Sequence, residues 1–310
     1  MMKRLVIDTD PGVDDAHAIL LAAFHPDVKI EALTIVGGNV PLEHTTANAC
    51  KILDVANIDA PVFAGCQGAL LEREHEDASH VHGADGLGDC GIPLSSRQVE
   101  DEHAVHALIR FANENPGELT LVAIGPLTNV AMATKLDPNL PDKFKELIIM
   151  GGAIYAQGNT PNTATEFNIY HDPEAAAMVF QSWPEVTLSS WETTLAYPIS
   201  GELLTQLRSI PSPRGEFFDK IIDKITKFIK DVLGRDEIYA ADAIAMAAAI
   251  EPGIVTKAQK CHVQVERAGQ FSRGQTIVDW FGLNGREPNT NIVLELNSER
   301  FYELLHLCLQ

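Results

Sequence analysis

Apolar runs typical of buried strands alternate with segments typical of helices from the N-terminus to the run EVTLSS. RLVID precedes DDAHAILLAAF, whose apolar residues recur at helical spacing and whose first turn is acidic, as the helix dipole favours. IEALTIVGG is followed in the same way by EHTTANACKILDVAN. Such alternation implies a mostly parallel sheet covered by helices on both faces. We therefore predict an open α/β fold, organised as a single domain over residues 1–310.

Composition and charge restrict the class of protein. The chain has 310 residues, of which 45% are hydrophobic, which is enough for a large core. Its formal net charge of -20 argues against nucleic acid or an anionic membrane as a partner. The sequence shows no signal peptide or membrane-spanning run, and its five cysteines form no CxxC pair. These features predict a cytoplasmic protein with reduced thiols.

Polar clusters follow three of the predicted strands. They comprise Asp8 to Asp15, Gly37 to Asn39, and the residues from Gly151 onward. Ligands of parallel α/β sheets bind beyond the carboxyl ends of the strands. The positions therefore predict one composite site at that edge of the sheet.

The stretch DTDPGVDDA places four carboxylates within nine residues. Like charges this close raise each other's pKa values, so the cluster needs solvent, a shared proton or a cation. Asp8 and Asp10 end a strand, and Asp14 and Asp15 begin the next helix, so they can converge on a hard cation. Ca²⁺ suits such a site best, with Mg²⁺ a close rival. Alternatively, Asp14 caps the helix and Asp8 bonds a neighbouring turn.

The DTD triplet has a second interpretation. In haloacid-dehalogenase-like phosphatases, a first Asp after an apolar strand is the nucleophile and a second is an acid/base. Those proteins usually continue with Gly-Thr or Gly-Val, whereas this chain continues with PGVDD. A metal-dependent phosphatase is therefore a weaker hypothesis than a cation site.

The motifs DTDPGVDDA, HGADGLG, GPLTNVA, MGG and EFNIYHDPEAA, in this order, resemble those of the inosine-uridine-preferring nucleoside hydrolase family. They extend over nearly the whole chain, and the first and last together are highly specific. The resemblance implies an open α/β fold, a bound Ca²⁺ and assembly as dimers or tetramers. It also implies hydrolysis of the N-glycosidic bond of a ribonucleoside to ribose and free base.

The resemblance further implies roles for matching positions. The implied calcium ligands are Asp10, Asp15, Asp242 and the backbone carbonyl of Ile124, and Asp10 also matches the general base. His82 lies in the family's mobile loop, near the 5′-hydroxyl or the base. The implied ribose-binding and wall residues are Asp14, Asn39, Asn159, Glu166, Asn168, Met150 and Phe167. The spacing around Asn159 leaves Asn162 as an alternative. Taken alone, Glu166 could be a surface acid, Phe167 a core aromatic and Asn39 a turn residue.

This residue set fits the implied chemistry. Glycosidic cleavage passes through an oxocarbenium-like state, which surrounding carboxylates stabilise. A bound Ca²⁺ lowers the pKa of its water, and an adjacent carboxylate then takes the proton.

One position departs from the family pattern. Many members place a His directly before the Asp that aligns with Asp242, where it protonates the departing base; this chain has Ala241. Three hypotheses follow: Tyr239 or His82 activates the leaving group, stacking and solvent do so, or the hydrolase is weak or altered. A non-catalytic nucleoside or ribose binder that keeps the metal pocket is a further alternative.

Overall fold

The computed structural model describes residues 2–71 and 77–310. Its strands follow the apolar runs of the sequence. They are β1 (Lys3–Thr9), β2 (Val28–Ile35), β3 (Val62–Ala64), β4 (Leu119–Ala123), β5 (Glu146–Met150), β6 (Val186–Ser189), β7 (Ile199–Ser200), β8 (Glu237–Ile238), β9 (Val255–Val265), β10 (Thr276–Asp279) and β11 (Thr290–Leu296).

Helices connect most of these strands. They are α1 (Val13–Phe24), α2 (Leu42–Ala56), α3 (Ser79–His82), α4 (Ala104–Glu114), α5 (Thr128–Leu136), α6 (Leu140–Lys143), α7 (Phe167–His171), α8 (Pro173–Ser182), α9 (Trp191–Leu195), α10 (Gly201–Arg208), α11 (Pro213–Ile221), α12 (Asp223–Phe228), α13 (Ala241–Ile250) and α14 (Ser298–Leu307). A π-helix, Ile229–Leu233, follows α12, and a 3₁₀ turn, Pro252–Ile254, follows α13.

Nine strands form one sheet in the order β10-β9-β11-β6-β5-β4-β1-β2-β3. Along this order, each strand from β11 to β3 pairs in parallel with the next one. At the other edge of the sheet, β9 pairs antiparallel with both β11 and β10. The predicted mostly parallel α/β sheet is confirmed. The strand order reverses between β1 and β4, and a crevice opens at such a point beyond the strand ends.

Side chains of β1 show how the sheet divides the core. Leu5 and Ile7 pack on one face together with α1, α2 and α13, and Val6 packs on the other with α4, α5 and α8. All ten residues of α13 are buried, and they include six alanines, which allow the helix to approach α1 closely. This packing brings the N-termini of α1 and α13 to the same end of the sheet.

Two segments show how local patterns appear in the structure. The helical pattern from Phe217 to Ile250, FFDKIIDKITKFIKDVLG and then DAIAMAAAI, is divided among α11, α12, the π-helix and α13, and the π-helix ends at Gly234, which has a φ of +65°. The polar, glycine-rich segment LEREHEDASHVHGADGLGDCG has a loop-like composition but contains α3. Residues 72–76, including His75, lie outside the described residues. Across the described ranges, no helix is long and apolar enough to span a bilayer.

Candidate active site

The carboxyl ends of four adjacent strands carry the predicted site. Asp10 follows β1, Asn39 lies beyond β2, Ile124 follows β4, and Met150 ends β5. The three polar clusters recognised in the sequence are therefore brought to one end of the sheet, as predicted.

Asp10 is fully buried and held by one carboxylate oxygen. Its Oδ2 accepts a hydrogen bond of 2.7 Å from the backbone N–H of Asn39. Its Oδ1 is buried and has no hydrogen-bond partner among the described residues. A Cβ atom at position 125 would lie 2.6 Å from this Oδ1, so Gly125 leaves the oxygen the space it needs. A buried carboxylate oxygen without a partner is costly unless a cation or ligand satisfies it.

Asp15 is held more extensively. Its carboxylate accepts hydrogen bonds from the Thr9 hydroxyl, from the backbone N–H of Gly12 at 2.9 Å, and from the side-chain amide of Asn39 at 3.1 Å. Asn39 thus links Asp10 to Asp15, a role that a simple turn residue would not have.

Carboxylate oxygens of Asp14, Asp15 and Asp242 lie within 4.8 Å of one another. This triple contains Asp14, whereas the resemblance implied Asp10 as a metal ligand. Asp10 still belongs to the same charged cluster, because its charge contributes to raising the pKa of Asp242. An all-oxygen set of this kind fits Ca²⁺ or Mg²⁺.

Burial and mutual repulsion raise the pKa values of the cluster. Desolvation is the first cause at every member and raises the pKa of Asp14 and of Asp15 to about 6. The pKa values of Asp10 and Asp242 lie well above the usual range, through desolvation and then neighbouring carboxylates. A bound cation would offset the repulsion between these carboxylates and lower their pKa values, so the donor set fits a metal ion.

Asp8 does not join this cluster. Its Oδ2 accepts hydrogen bonds from the Thr34 hydroxyl at 2.6 Å and from the Asn129 amide at 3.0 Å. Asp8 therefore ties the end of β1 to β2 and α5 rather than to the next turn.

Asn168 connects two strand ends. Its Nδ2 lies 3.2 Å from the backbone oxygens of both Ile124 and Met150. This contact fixes the amide at the floor of the pocket, next to the carbonyl that the resemblance implied as a metal ligand.

Glu166 is the N-cap of α7 and is buried, so it is not a surface acid. It accepts hydrogen bonds from the backbone N–H groups of Gly152, Asn168 and Ile169 at 2.8, 2.8 and 3.2 Å. Desolvation nevertheless raises its pKa to about 7, against the opposing effect of these donors. The loop that precedes Glu166, GNTPNTAT, contains Asn159 and Asn162, whose side chains have different surroundings.

Asn159 lines the pocket, whereas Asn162 is engaged in the loop. The Asn162 carbonyl oxygen accepts from Ala164 N and from the Thr165 hydroxyl, and its Nδ2 donates to the backbone oxygen of Arg273. The Asn162 amide does not line the pocket, so the geometry favours Asn159 as the residue that faces a ligand.

His82 ends α3 and is buried. Its Nδ1 accepts a hydrogen bond of 3.1 Å from the backbone N–H of Val13 and lies 3.9 Å from Oδ1 of Asp14. Because Nδ1 accepts, the neutral ring carries its proton on Nε2. Burial lowers the pKa of His82 to about 4.

These residues surround a cavity of about 470 Å³. Asp10 and Asp15 are fully buried beside it rather than on its surface. The predicted site residues that line it are Asp14, Asn39, His82, Ile124, Met150, Asn159, Glu166, Phe167, Asn168, Tyr239 and Asp242. Ala241 lines it as well, so the side chain that replaces the usual histidine does face the pocket.

The sequence did not predict the far wall of the cavity. Trp191, Phe228 and Arg235 line it, and Trp191 packs at 5.7 Å between ring centroids against Tyr239. Arg235 donates a hydrogen bond to the Tyr239 hydroxyl, which donates to Glu237 at 2.5 Å. These residues carry no spacing that marks a site, and they come together only through the packing of the π-helix against β8 and of Trp191 in α9 against Tyr239.

Known proteins match this chain over its whole length. A family model described as inosine-uridine preferring nucleoside hydrolase matches residues 5–303. The inosine-uridine preferring nucleoside hydrolase of Crithidia fasciculata is 35% identical over 309 residues, which are 98% of this chain and 96% of that protein. The pyrimidine-specific ribonucleoside hydrolase RihB of Escherichia coli O157:H7 is 32% identical, over 99% of this chain and 97% of that protein.

Comparison with solved structures points to the same family as comparison of sequences. The solved structure of an inosine-guanosine nucleoside hydrolase (IG-NH) superposes with a TM-score of 0.93 at 35% identity, over 100% of this chain and 99% of that one. The family expected from the motifs is confirmed. The chain belongs to the inosine-uridine preferring nucleoside hydrolase family, whose members are enzymes that hydrolyse N-glycosidic bonds.

Proposed function

We propose that this protein is a calcium-dependent hydrolase that cleaves ribonucleosides to ribose and free base. The observation that carries the proposal is the buried, unpartnered Oδ1 of Asp10 beside the triple of Asp14, Asp15 and Asp242. We further propose a cytoplasmic homodimer or homotetramer that acts in purine or pyrimidine salvage without binding nucleic acid or membranes.

Asp10, Asp15, Asp242 and the carbonyl of Ile124 are the proposed ligands of the metal. Ca²⁺ bound there would lower the pKa of a coordinated water and hold the sugar diol. Ca²⁺ is favoured over Mg²⁺ because the site has several oxygen donors on separate elements, which suits a flexible coordination shell.

Asp10 is the proposed general base. Asn39 N–H holds Oδ2, and Oδ1 is left to take the proton of the attacking water. Because the carboxylate is fixed at one oxygen, its orientation towards the water needs no rearrangement during the reaction.

Asp14, Asn39, Asn159, Glu166 and Asn168 are the proposed ribose-binding residues. All five line the cavity, and Met150 and Phe167 add apolar walls. As the glycosidic bond breaks, positive charge develops on the sugar. The carboxylates of Asp14 and Glu166 would stabilise that charge more than they stabilise the neutral substrate.

His82 and Tyr239 are the proposed candidates for activating the departing base, since Ala241 cannot act as an acid. The proton on Nε2 makes His82 a hydrogen-bond donor at neutral pH. The names of the relatives span inosine, uridine, guanosine and pyrimidines, so likeness alone leaves the base open.

The test is an HPLC assay of inosine, adenosine, guanosine, uridine and cytidine, with and without a calcium chelator. Free base released by the wild type, and lost both with the chelator and in Asp10→Ala, supports the hydrolase. Nucleoside bound without release of base would instead support the non-catalytic binder that Ala241 suggests. Phosphate released from a nucleotide would support a phosphatase.

A further inference from the structure

A carboxylate outside the cavity holds the turn that leads to Asn159. Glu192 lies in the first turn of α9 and does not line the cavity. Its Oε2 accepts a hydrogen bond of 2.8 Å from the N–H of Ile154, and its Oε1 accepts from the N–H groups of Tyr155 and Gln157 at 2.7 and 3.2 Å. Within the described chain, the hydrogen-bond partners of this carboxylate are thus all backbone donors of one turn.

The backbone of this turn has the shape of an anion site. Ala156, which lies between two of the three donors, has a φ of +59°, in the left-handed region that residues with a β-carbon seldom adopt. Successive N–H groups around such a residue form a concave nest that binds anions. The negative charge of Glu192 occupies the nest and stabilises a conformation that alanine by itself disfavours.

Backbone groups on either side of the turn are held by other partners. Before it, the N–H of Gly152 donates to the Glu166 carboxylate at 2.8 Å. After it, the N–H of Asn159 donates to the carbonyl of Thr165 at 3.0 Å. Glu192 therefore holds the stretch between two fixed points of the same loop.

The position of the Asn159 side chain depends on this backbone. Asn159 lines the cavity, and its side chain is exposed and makes no hydrogen bond to the described residues. Its orientation is therefore set by the path of the main chain. Gln157, the last residue bonded to Glu192, precedes Asn159 by two positions, which is at most about 7 Å of extended chain. A change in the turn is therefore passed directly to Asn159.

We propose that Glu192 is a positioning residue for the hydrolysis, one that holds residues 154–157 so that Asn159 faces the cavity before the substrate arrives. The inference rests on the proposed function, in which Asn159 binds the ribose. Because Glu192 does not line the cavity, it acts through Asn159 and not on the substrate. A binding group that is already in place lowers the ordering cost of association. Loss of Glu192 should therefore weaken substrate binding more than it slows the chemical step.

The experiment compares Glu192→Ala and Glu192→Gln with a matched control, Glu202→Gln. Glu202 lies in the first turn of α10 and is exposed, so it controls for the loss of a carboxylate near a helix N-terminus. Kinetics are measured on whichever of inosine, adenosine, guanosine, uridine and cytidine the wild type cleaves fastest. Hydrogen–deuterium exchange of the peptide that contains residues 154–157 reports on the turn independently of activity.

We expect Glu192→Ala to raise KM by about tenfold, as much as Asn159→Ala, with kcat changed by less than about threefold. Glu192→Gln keeps one acceptor oxygen and should raise KM by about threefold. The amides of residues 154–157 should exchange faster in Glu192→Ala than in the wild type. Glu202→Gln should match the wild type in both measurements.

A double variant separates positioning from a general structural role. If Glu192 acts through Asn159, adding Glu192→Ala to Asn159→Ala should raise KM no further, because the contact that Glu192 positions is already lost. Where Glu192→Ala does not fold, Glu192→Gln takes its place in the same comparison.

Three results would overturn the inference. They are additive increases in KM in the double variant, an unchanged KM in both Glu192 variants, and unchanged exchange at residues 154–157. Failure of the proposed function looks different: the wild type would release no free base from any nucleoside, although the turn would still exchange faster in Glu192→Ala, and the inference would be rejected with it.

Discussion

The imidazole of His82 accepts, at Nδ1, the backbone N–H of Val13, the first residue of α1. The bond of 3.1 Å joins α3 to the helix that carries Asp14 and Asp15. It satisfies a donor at the N-terminus of α1 that has no partner within the helix. His82 therefore positions the acidic turn and keeps its Nε2 proton for the cavity.

His82→Ala should destabilise the protein by about 1–3 kcal/mol, because it leaves a buried N–H unpaired. His82→Gln keeps an acceptor and should cost less. Since burial lowers the pKa of His82 to about 4, kcat of the wild type should show no inflection from His82 between pH 5 and 8. Urea unfolding and a pH–rate profile measure both effects. A wild-type inflection near pH 6.5 that disappears in His82→Gln would contradict this assignment.

Asp10→Asn should abolish turnover while leaving the fold intact. Asparagine retains an oxygen for the Asn39 N–H but cannot take a proton from water. We expect kcat to fall by at least about 10³-fold, the upper part of the range for loss of a general base. Base release by HPLC and a circular dichroism melt are the measurements. Residual activity within tenfold of the wild type would show that another group takes the proton.

Calcium should raise the thermal unfolding midpoint of chelator-treated protein in a concentration-dependent way. A cation that binds only the folded state stabilises it by mass action, and here it also relieves repulsion among Asp14, Asp15 and Asp242. Asp242→Asn should reduce the response strongly, whereas Asp101→Asn, an exposed control, should not. Differential scanning fluorimetry with Ca²⁺ and Mg²⁺ tests this. An equal response in Asp242→Asn and the wild type would place the ion elsewhere.

Asn159→Ala should affect substrate binding, whereas Asn162→Ala should affect stability. Asn159 faces the cavity, so its loss should raise KM by about tenfold, the equivalent of one hydrogen bond, with little change in stability. The Asn162 side chain makes hydrogen bonds with four residues, three in its own loop and Arg273, so its loss should lower the unfolding midpoint instead. Steady-state kinetics and thermal melts separate the two. A larger rise in KM for Asn162→Ala would reverse the assignment.

Glu166 should make the wild type more stable, relative to Glu166→Gln, as pH falls from about 7 to about 4.5. The folded-state pKa is about 7 and the reference value is 4.5, so in this window the folded state binds more protons than the unfolded state. Folding therefore becomes more favourable as pH falls, by up to about 3 kcal/mol. Urea unfolding of both proteins in chelator measures the difference. Parallel stability curves would show that Glu166 is not held at a raised pKa.

Local patterns in the sequence were sufficient for the fold class and for part of the site. The alternation of RLVID with DDAHAILLAAF predicted β1 and α1, because side-chain periodicity depends only on neighbouring residues. The rule that ligands bind beyond parallel strand ends then placed Asp10 and Asn39 together. Motif likeness added Glu166 and Asn168, which no periodicity would have selected.

Contacts between distant segments decided the rest. Whether His82 was exposed or buried depended on α3 packing against the turn before α1, a contact across 69 residues. The choice between Asn159 and Asn162 depended on Arg273, whose carbonyl engages Asn162 across 111 residues. Arg235 lines the cavity only because the chain beyond the π-helix lies against the same cavity as the carboxylates. Sequence periodicity therefore determined which helices and strands form. Tertiary packing decided the burial, the protonation state and the orientation of each polar side chain, because each of these depends on atoms that are distant in the sequence.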